Sequence, residues 1–155
     1  MAYPVIAAPY GLKPVNLLGG QVFAGSTRMI PIQYSYAADL YYGDIVKLVR
    51  GFAVQSTITS SNGETTVGSS APTDNIVGVF LGCSFTNPVT KQKTFSQYWP
   101  SGTLAGDAVA IVCDDPDTVF KVVVCSATTA VASGARAMIG QNLALINNTG
   151  NSNTG

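Results

Sequence analysis

Apolar and polar residues alternate with a period of two along much of this chain. In "IPIQYSY", residues 30–36, Ile30, Ile32, Tyr34 and Tyr36 fall on one parity, with Gln33 and Ser35 on the other. That spacing predicts a strand with one face in a core. "GDIVKLV" (43–49) and "FAVQSTI" (52–58) flank Arg50-Gly51, which predicts a hairpin. Further strands are predicted at 76–85 ("IVGVFLGCSF"), 94–99 ("TFSQYW"), 107–113 ("DAVAIVC") and 118–125 ("TVFKVVVC"). A short helical turn capped by Thr128 fits Thr128 to Ser133, and "NLALI" (142–146) fits a last short strand. Between the strands, residues 59–75 are rich in Ser, Thr and Gly and nearly free of apolar side chains. They read as an exposed loop. Many short strands with turns between them predict an all-β fold, a single antiparallel β-barrel or jelly-roll-like sandwich.

The first twenty residues break the period. Pro4, Pro9 and Pro14 exclude a helix and a central strand, and Gly19-Gly20 marks a hinge. Yet Tyr3, Val5, Ile6, Tyr10, Leu12, Val15, Leu17 and Leu18 are too apolar for a free tail. Residues 1–20 therefore read as an extended N-terminal arm, lying on its own domain or on a partner. Residues 21–146 are the β domain, and "NNTGNSNTG" (147–155) is a low-complexity flexible tail.

Composition narrows the function. Charged residues make up 10% of the 155, against a usual value of about 25%. Eight basic and eight acidic residues cancel, with no charge block, so binding to nucleic acid is not expected. No apolar run reaches the roughly 18 residues of a membrane helix, and the start of the chain does not resemble a signal peptide. This reads as a protein made and kept in a cytoplasm. Cys83, Cys113 and Cys125 are odd in number and scattered, which fits buried thiols better than a disulfide framework. A neutral, apolar chain has little to repel its own copies, which suits a place in an assembly.

Candidate chemistry is sparse. There is no histidine, hence no usual partner for a serine nucleophile. Asp114, Asp115 and Asp117 cluster around Pro116 between two predicted strands. Aspartates favour such places because they bond their own backbone, so a hairpin turn is expected rather than a calcium or catalytic site. "GDIVKLV" and "GDAVAIV" share a Gly-Asp start, in which the aspartate can hold nearby amides. Tyr41, Tyr42, Tyr98 and Trp99 suit core or interface positions. The other reading is a stacking platform for sugars on a β-sandwich.

Four segments carry a family resemblance: "APYGLKPVNLLGGQVFAGSTR" (8–28), "YYGDIVKLV" (41–49), "IVGVFLGCSFTNP" (76–88) and "VCDDPDTVFKV" (112–122). Over residues 8 to 150 the chain resembles the small capsid decoration, or cement, proteins of marine and cyanobacterial tailed phages. The resemblance implies a virion protein made in the bacterial host cytoplasm and bound to the outside of an icosahedral shell. It implies no catalysis and no cofactor. Its partners would be the major capsid protein and its own copies, with a trimer favoured over a dimer by analogy with other phage decoration proteins. Relatives often continue beyond the stretch matching the tail. The arm residues named above, with Tyr41, Tyr42 and Trp99, are the expected contacts with capsid or neighbouring subunit. A carbohydrate-binding β-sandwich displayed on a particle is the alternative.

Overall fold

The computed structural model describes residues 10–56, 76–126, 130–131, 134–141, 145 and 150–152. The strands among them are β1 Lys13–Leu17, β2 Arg28–Pro31, β3 Ile45–Val49, β4 Phe52–Gln55, β5 Ile76–Thr86, β6 Lys93–Ser96, β7 Val109–Cys113, β8 Thr118–Lys121, β9 Cys125–Ser126 and β10 Ala130–Val131. One 3-10 turn at Arg136–Met138 is the only helical element among the described residues. Every pairing is antiparallel, so the fold is all-β as the period predicts.

β5 organises the main sheet, whose order is β2-β7-β5-β3-β4 with β6 also on β5. β7 runs along one edge of β5. β3 and then β6 share the other edge end to end. β3 turns into β4 through Arg50 (φ 53°) and Gly51 (φ 86°), the pair of left-handed residues that a two-residue hairpin needs.

Opposed residues project to the same face. One cross-strand row is Ile30, Ala110, Cys83 and Ser96, and it faces inward. With it pack Ile32, Leu40, Val46, Phe80, Phe85, Val112 and Trp99, all buried. The sheet curls until β2 and β4, the ends of its order, meet. The Gln55 amide donates to the Tyr36 hydroxyl across this gap at 3.0 Å. No ladder joins β2 to β4 among the described residues, so the sheet wraps its core without closing, in a sandwich-like rather than closed-barrel form.

A second, smaller layer covers one end of the outer face. β1 pairs with β8, from Lys13 opposite Lys121 to Leu17 opposite Thr118, with a bulge at Val15. Val79 and Cys113, opposed in register, are buried although they belong to the outward parity of the main sheet. The Cys113 thiol points to the Thr118 hydroxyl at 3.5 Å. The Leu12 amide donates to the Gly43 carbonyl at 3.1 Å. At that crossing two backbones touch: a Cβ on Gly43 would sit 2.6 Å from Gly11 backbone atoms, and Gly43 has φ +94°. Only glycine meets both conditions.

Several predicted boundaries are corrected. The alternation in 30–36 stops at Pro31, because a turn closes with the Tyr36 amide on the Gln33 carbonyl and Ser35 at φ 55°. Tyr34 is consequently exposed. The segment 118–125 makes a four-residue strand, and it pairs with β1 instead of β7, so Asp114–Asp117 is not a hairpin loop. Ala130–Val131, predicted helical, is a strand paired to β9. Residues 59–75, most of 142–146 and most of the tail lie outside the described residues, as do Tyr3, Val5 and Ile6.

Two outcomes follow from this layering. Gly43→Ala is expected to lose about 2–4 kcal/mol in urea denaturation, from left-handed strain plus the clash with Gly11. A loss below about 0.5 kcal/mol, the size of an ordinary surface substitution, would mean the crossing is loose. Deleting residues 2–17 removes the strand paired to β8, whose Thr118 meets the buried Cys113 thiol. The truncated chain is expected to melt earlier and to expose a thiol to a disulfide reagent that the full chain protects. Unchanged thiol protection would show that β1 does not cover this face.

Candidate interaction surface

Beyond the β1–β8 ribbon the outer face is exposed at its two sides, on β2 and β6, and buried along β5 at Gly82 and Ser84. One row runs Pro31, Val109, Ser84, Phe95, and the next runs Met29, Ile111, Gly82. Met29 is 71% exposed and Phe95 76%. Pro31 is exposed, and Val109 and Ile111 are half-buried. These residues face outward because their neighbours Ile30 and Ala110 face the core, and parity leaves no choice. Two ion pairs lie near the patch. Arg28 meets Asp114 at 2.6 Å, and Lys93 meets Asp107 at 2.9 Å. Their charges cancel locally, so the apolar residues of this face stand in a neutral setting beside polar side chains, as contact surfaces do.

A second surface arises where Leu40 and Trp99 form an isolated antiparallel bridge. Both are fully buried, and Trp99 meets Phe85 edge-on at 5.3 Å. Alternation then turns Tyr41 and Tyr98 outward, with ring centroids 6.3 Å apart and planes 16° from parallel. Asp39 borders this pair. It accepts from the Ser101 amide at 2.7 Å. Burial, then the Asp39 charge, push the Tyr41 phenol above its usual range.

The expected contact residues thus part company. Trp99 belongs to the core and is not a contact, because the bridge to Leu40 points it inward. Tyr42 is half-buried, and burial, then the Cys113 thiol, raise its pKa. Tyr10 is half-buried beneath the Lys13 ammonium, 4.4 Å from its ring centroid. Leu12 and Leu17 are half-buried in the ribbon, whereas Val15 and Leu18 are exposed on it. The described part of the arm is therefore joined to its own domain. Reading the chain for buried parity passes over Met29 and Phe95. Their signal is an apolar side chain at the outward position of "RMIP" and "KTFS".

The three aspartates do not converge. Asp114 is held by Arg28, while the Asp115 carboxylate accepts from the Asp117 amide at 3.0 Å, a bond of the Asx-turn kind. No group of three or more potential metal ligands occurs among the described residues. Cys83 and Cys113 are free and buried, and burial pushes the Cys83 thiol up to about 12, which makes it a poor nucleophile.

The Gly-Asp pair does hold amides at both starts. Asp44 accepts from the Tyr41 amide at 2.9 Å and from Gln55 Nε2 at 3.0 Å. Asp107 accepts from the Thr86 amide at 3.0 Å, the Thr86 hydroxyl at 2.7 Å and the Lys93 ammonium at 2.9 Å. Comparison with protein-family models, with curated proteins and with solved structures finds no match to this chain.

These two aspartates should give opposite pH signatures. Burial raises the Asp44 carboxyl, whereas Lys93 and Thr86 hold Asp107 well below the usual carboxylate range. A raised carboxyl stabilises fully below the unfolded value of about 3.9, and this share is lost as pH rises through the folded pKa. A depressed one stabilises fully above that value, and the share is lost as pH falls through the folded pKa. Asp44→Asn is therefore expected to cost most in acid and least near neutrality, and Asp107→Asn the reverse. Urea midpoints of both variants across this range check it. Parallel trends would refute the assignment.

Proposed function

We propose that this chain is a structural virion protein, a decoration or cement subunit that binds the outside of an icosahedral phage capsid and stabilises it. The observation that carries the reading is the set of outward apolar side chains Met29, Pro31, Val109, Ile111 and Phe95, with two ion pairs nearby. Met29 and Phe95 stand on the same face of the sheet, on β2 and β6, and an exposed apolar face is a mark of a contact surface. The four segments that resemble phage decoration proteins point to a shell as the cover, and the low charge suits a crowded lattice. The major capsid protein is then the principal partner, copies of the chain are the second, and a trimer is the favoured state. The mature location is the outer surface of the virion, reached after synthesis in the host cytoplasm. The reading asks for no cofactor and no catalytic group.

In this reading the sheet face docks by desolvation, and the exposed Val15 and Leu18 of the ribbon add contact area. Replacing Met29 and Phe95 by aspartate is expected to weaken co-sedimentation with capsid shells at least tenfold, about 1.4 kcal/mol, with an unchanged circular dichroism spectrum. Both side chains are exposed, so the fold does not need them. Undiminished binding by the folded double variant would move the contact elsewhere.

A further inference from the structure

The β1–β8 ribbon carries a pattern of its own on the side turned away from the main sheet. Thr118 points toward Cys113, so by alternation Asp117, Val119 and Lys121 point away, and all three are exposed. On β1, Lys13 and Asn16 stand opposite Lys121 and Val119 and share that side. Asn16 is bridged on its other flank by Val22, which is 78% exposed. The outer side is therefore ordered along the strands. Lys13 and Lys121 form one end, and Val22, Asn16 and Val119 form the middle. Asp117, with Asp115 bonded to its amide, forms the other end. The ladder continues to that end, because the Leu18 amide donates to the Asp117 carbonyl at 2.8 Å.

Two lysines directly opposed on antiparallel strands repel, so they give the ribbon no stability of its own. Neither meets a carboxylate among the described residues, and Lys13 rests on the Tyr10 ring. From Asp117 to Lys121 the chain covers about 14 Å, at roughly 3.4 Å per residue. A surface ordered positive, apolar, negative is complementary to its own reverse. We propose that this face is a two-fold contact between copies of the chain, with the dyad running along the middle rung. Rotation about that axis sets two ribbons face to face and antiparallel. The lysine end of each then lies on the Asp115–Asp117 end of the other, and Val119 meets Val119. Both charge contacts form together, as in any isologous interface, and each relieves the lysine repulsion of the free chain. The face is small against the roughly 800 Å2 that each partner gives to a standard interface, so the pair is weak in solution and gains where copies are held close together. The contact does not depend on attachment to a shell, and loss of the Met29–Phe95 contact leaves it unaffected.

Val119→Cys places a thiol on the dyad. With diamide as oxidant at about 50 mM salt, where charges act over more than 10 Å, it is expected to link two chains at least tenfold faster than Val89→Cys, a change at an exposed site outside the ribbon. About 500 mM salt shortens that reach to a few ångströms and is expected to slow the linkage at least threefold. Added to Val119→Cys, Lys13→Glu with Lys121→Glu sets acid against acid at both ends, and Asp115→Asn with Asp117→Lys sets base against base. Each charge variant alone is expected to link slowly, with an unchanged circular dichroism spectrum. Mixing the two restores opposite charges at both ends and is expected to return the fast rate, as a heterodimer identified by mass. Two results would overturn the proposal. One is linkage through Val119→Cys no faster than through Val89→Cys. The other is a fast rate that ignores both salt and charge reversal, or that fails to return when the two folded variants are mixed.

Discussion

The double-sided pairing of β5 is the constraint on which the rest depends. A buried strand must satisfy every amide and carbonyl on both of its edges, since each orphan costs the full desolvation of that group. β5 meets this with β7 on one side and with β3 and β6 in series on the other. Serial pairing is what the Gly-Asp starts secure. Asp44 precedes β3 and is tied through Gln55 to β4, and Asp107 precedes β7 and is tied to Thr86 at the end of β5. Each aspartate fixes where its strand begins, hence which register it adopts. Register then fixes the face of every side chain, because a slip of one residue would turn the row Ile30, Ala110 and Cys83 outward.

From that register both surfaces follow. The inward parity fills the core, and the outward parity is left with apolar residues at Val79, Cys113, Ile111, Val109, Met29 and Phe95. The β1–β8 ribbon meets Cys113 through Thr118, and Gly11 and Gly43 let the backbones touch where it crosses the chain before β3. The candidate contact lies beyond it, at Met29, Pro31 and Phe95 on either side of the buried Gly82 and Ser84. The tyrosine pair is a product of the same rule on a smaller scale: one bridge buries Leu40 and Trp99, and alternation exposes the residues beside them.

Much of this was legible in the chain. Period-two runs named most strands, Arg50-Gly51 named the hairpin, and the Gly-Asp pairs announced their amide bonds. What failed shares one cause, since neighbours along the sequence do not specify partners across a sheet. Nothing local in "TVFKVVVC" says that β8 leaves β7 for β1. Nothing in the proline spacing of residues 1–20 says that Lys13–Leu17 is a strand, because an edge position tolerates Pro14. Trp99 was misplaced for the same reason. An aromatic run reads as a surface platform until the bridge to Leu40 fixes which ring points inward. Met29 and Phe95 were missed because single apolar residues at outward positions are common, and only register shows that two of them share a face.

The form of the sheet decides which contacts are open to a partner. Sheets that aggregate do so through long, flat edges with unpaired backbone groups. Here the edges are blunted. β2 is four residues long and ends in Pro31, which has no amide to donate. β6 is equally short and begins with Lys93, whose ammonium is held by Asp107. β4 turns toward β2 as the sheet curls. Strand addition is thereby disfavoured, and it is the face that remains open to a partner. A face selects its partner by the shape and spacing of side chains, whereas an edge accepts almost any extended backbone. A chain with 10% charged residues has little electrostatic protection against its own copies. Exposed apolar side chains on a sheet face, beside short and blunted edges, favour contact through side chains over strand addition.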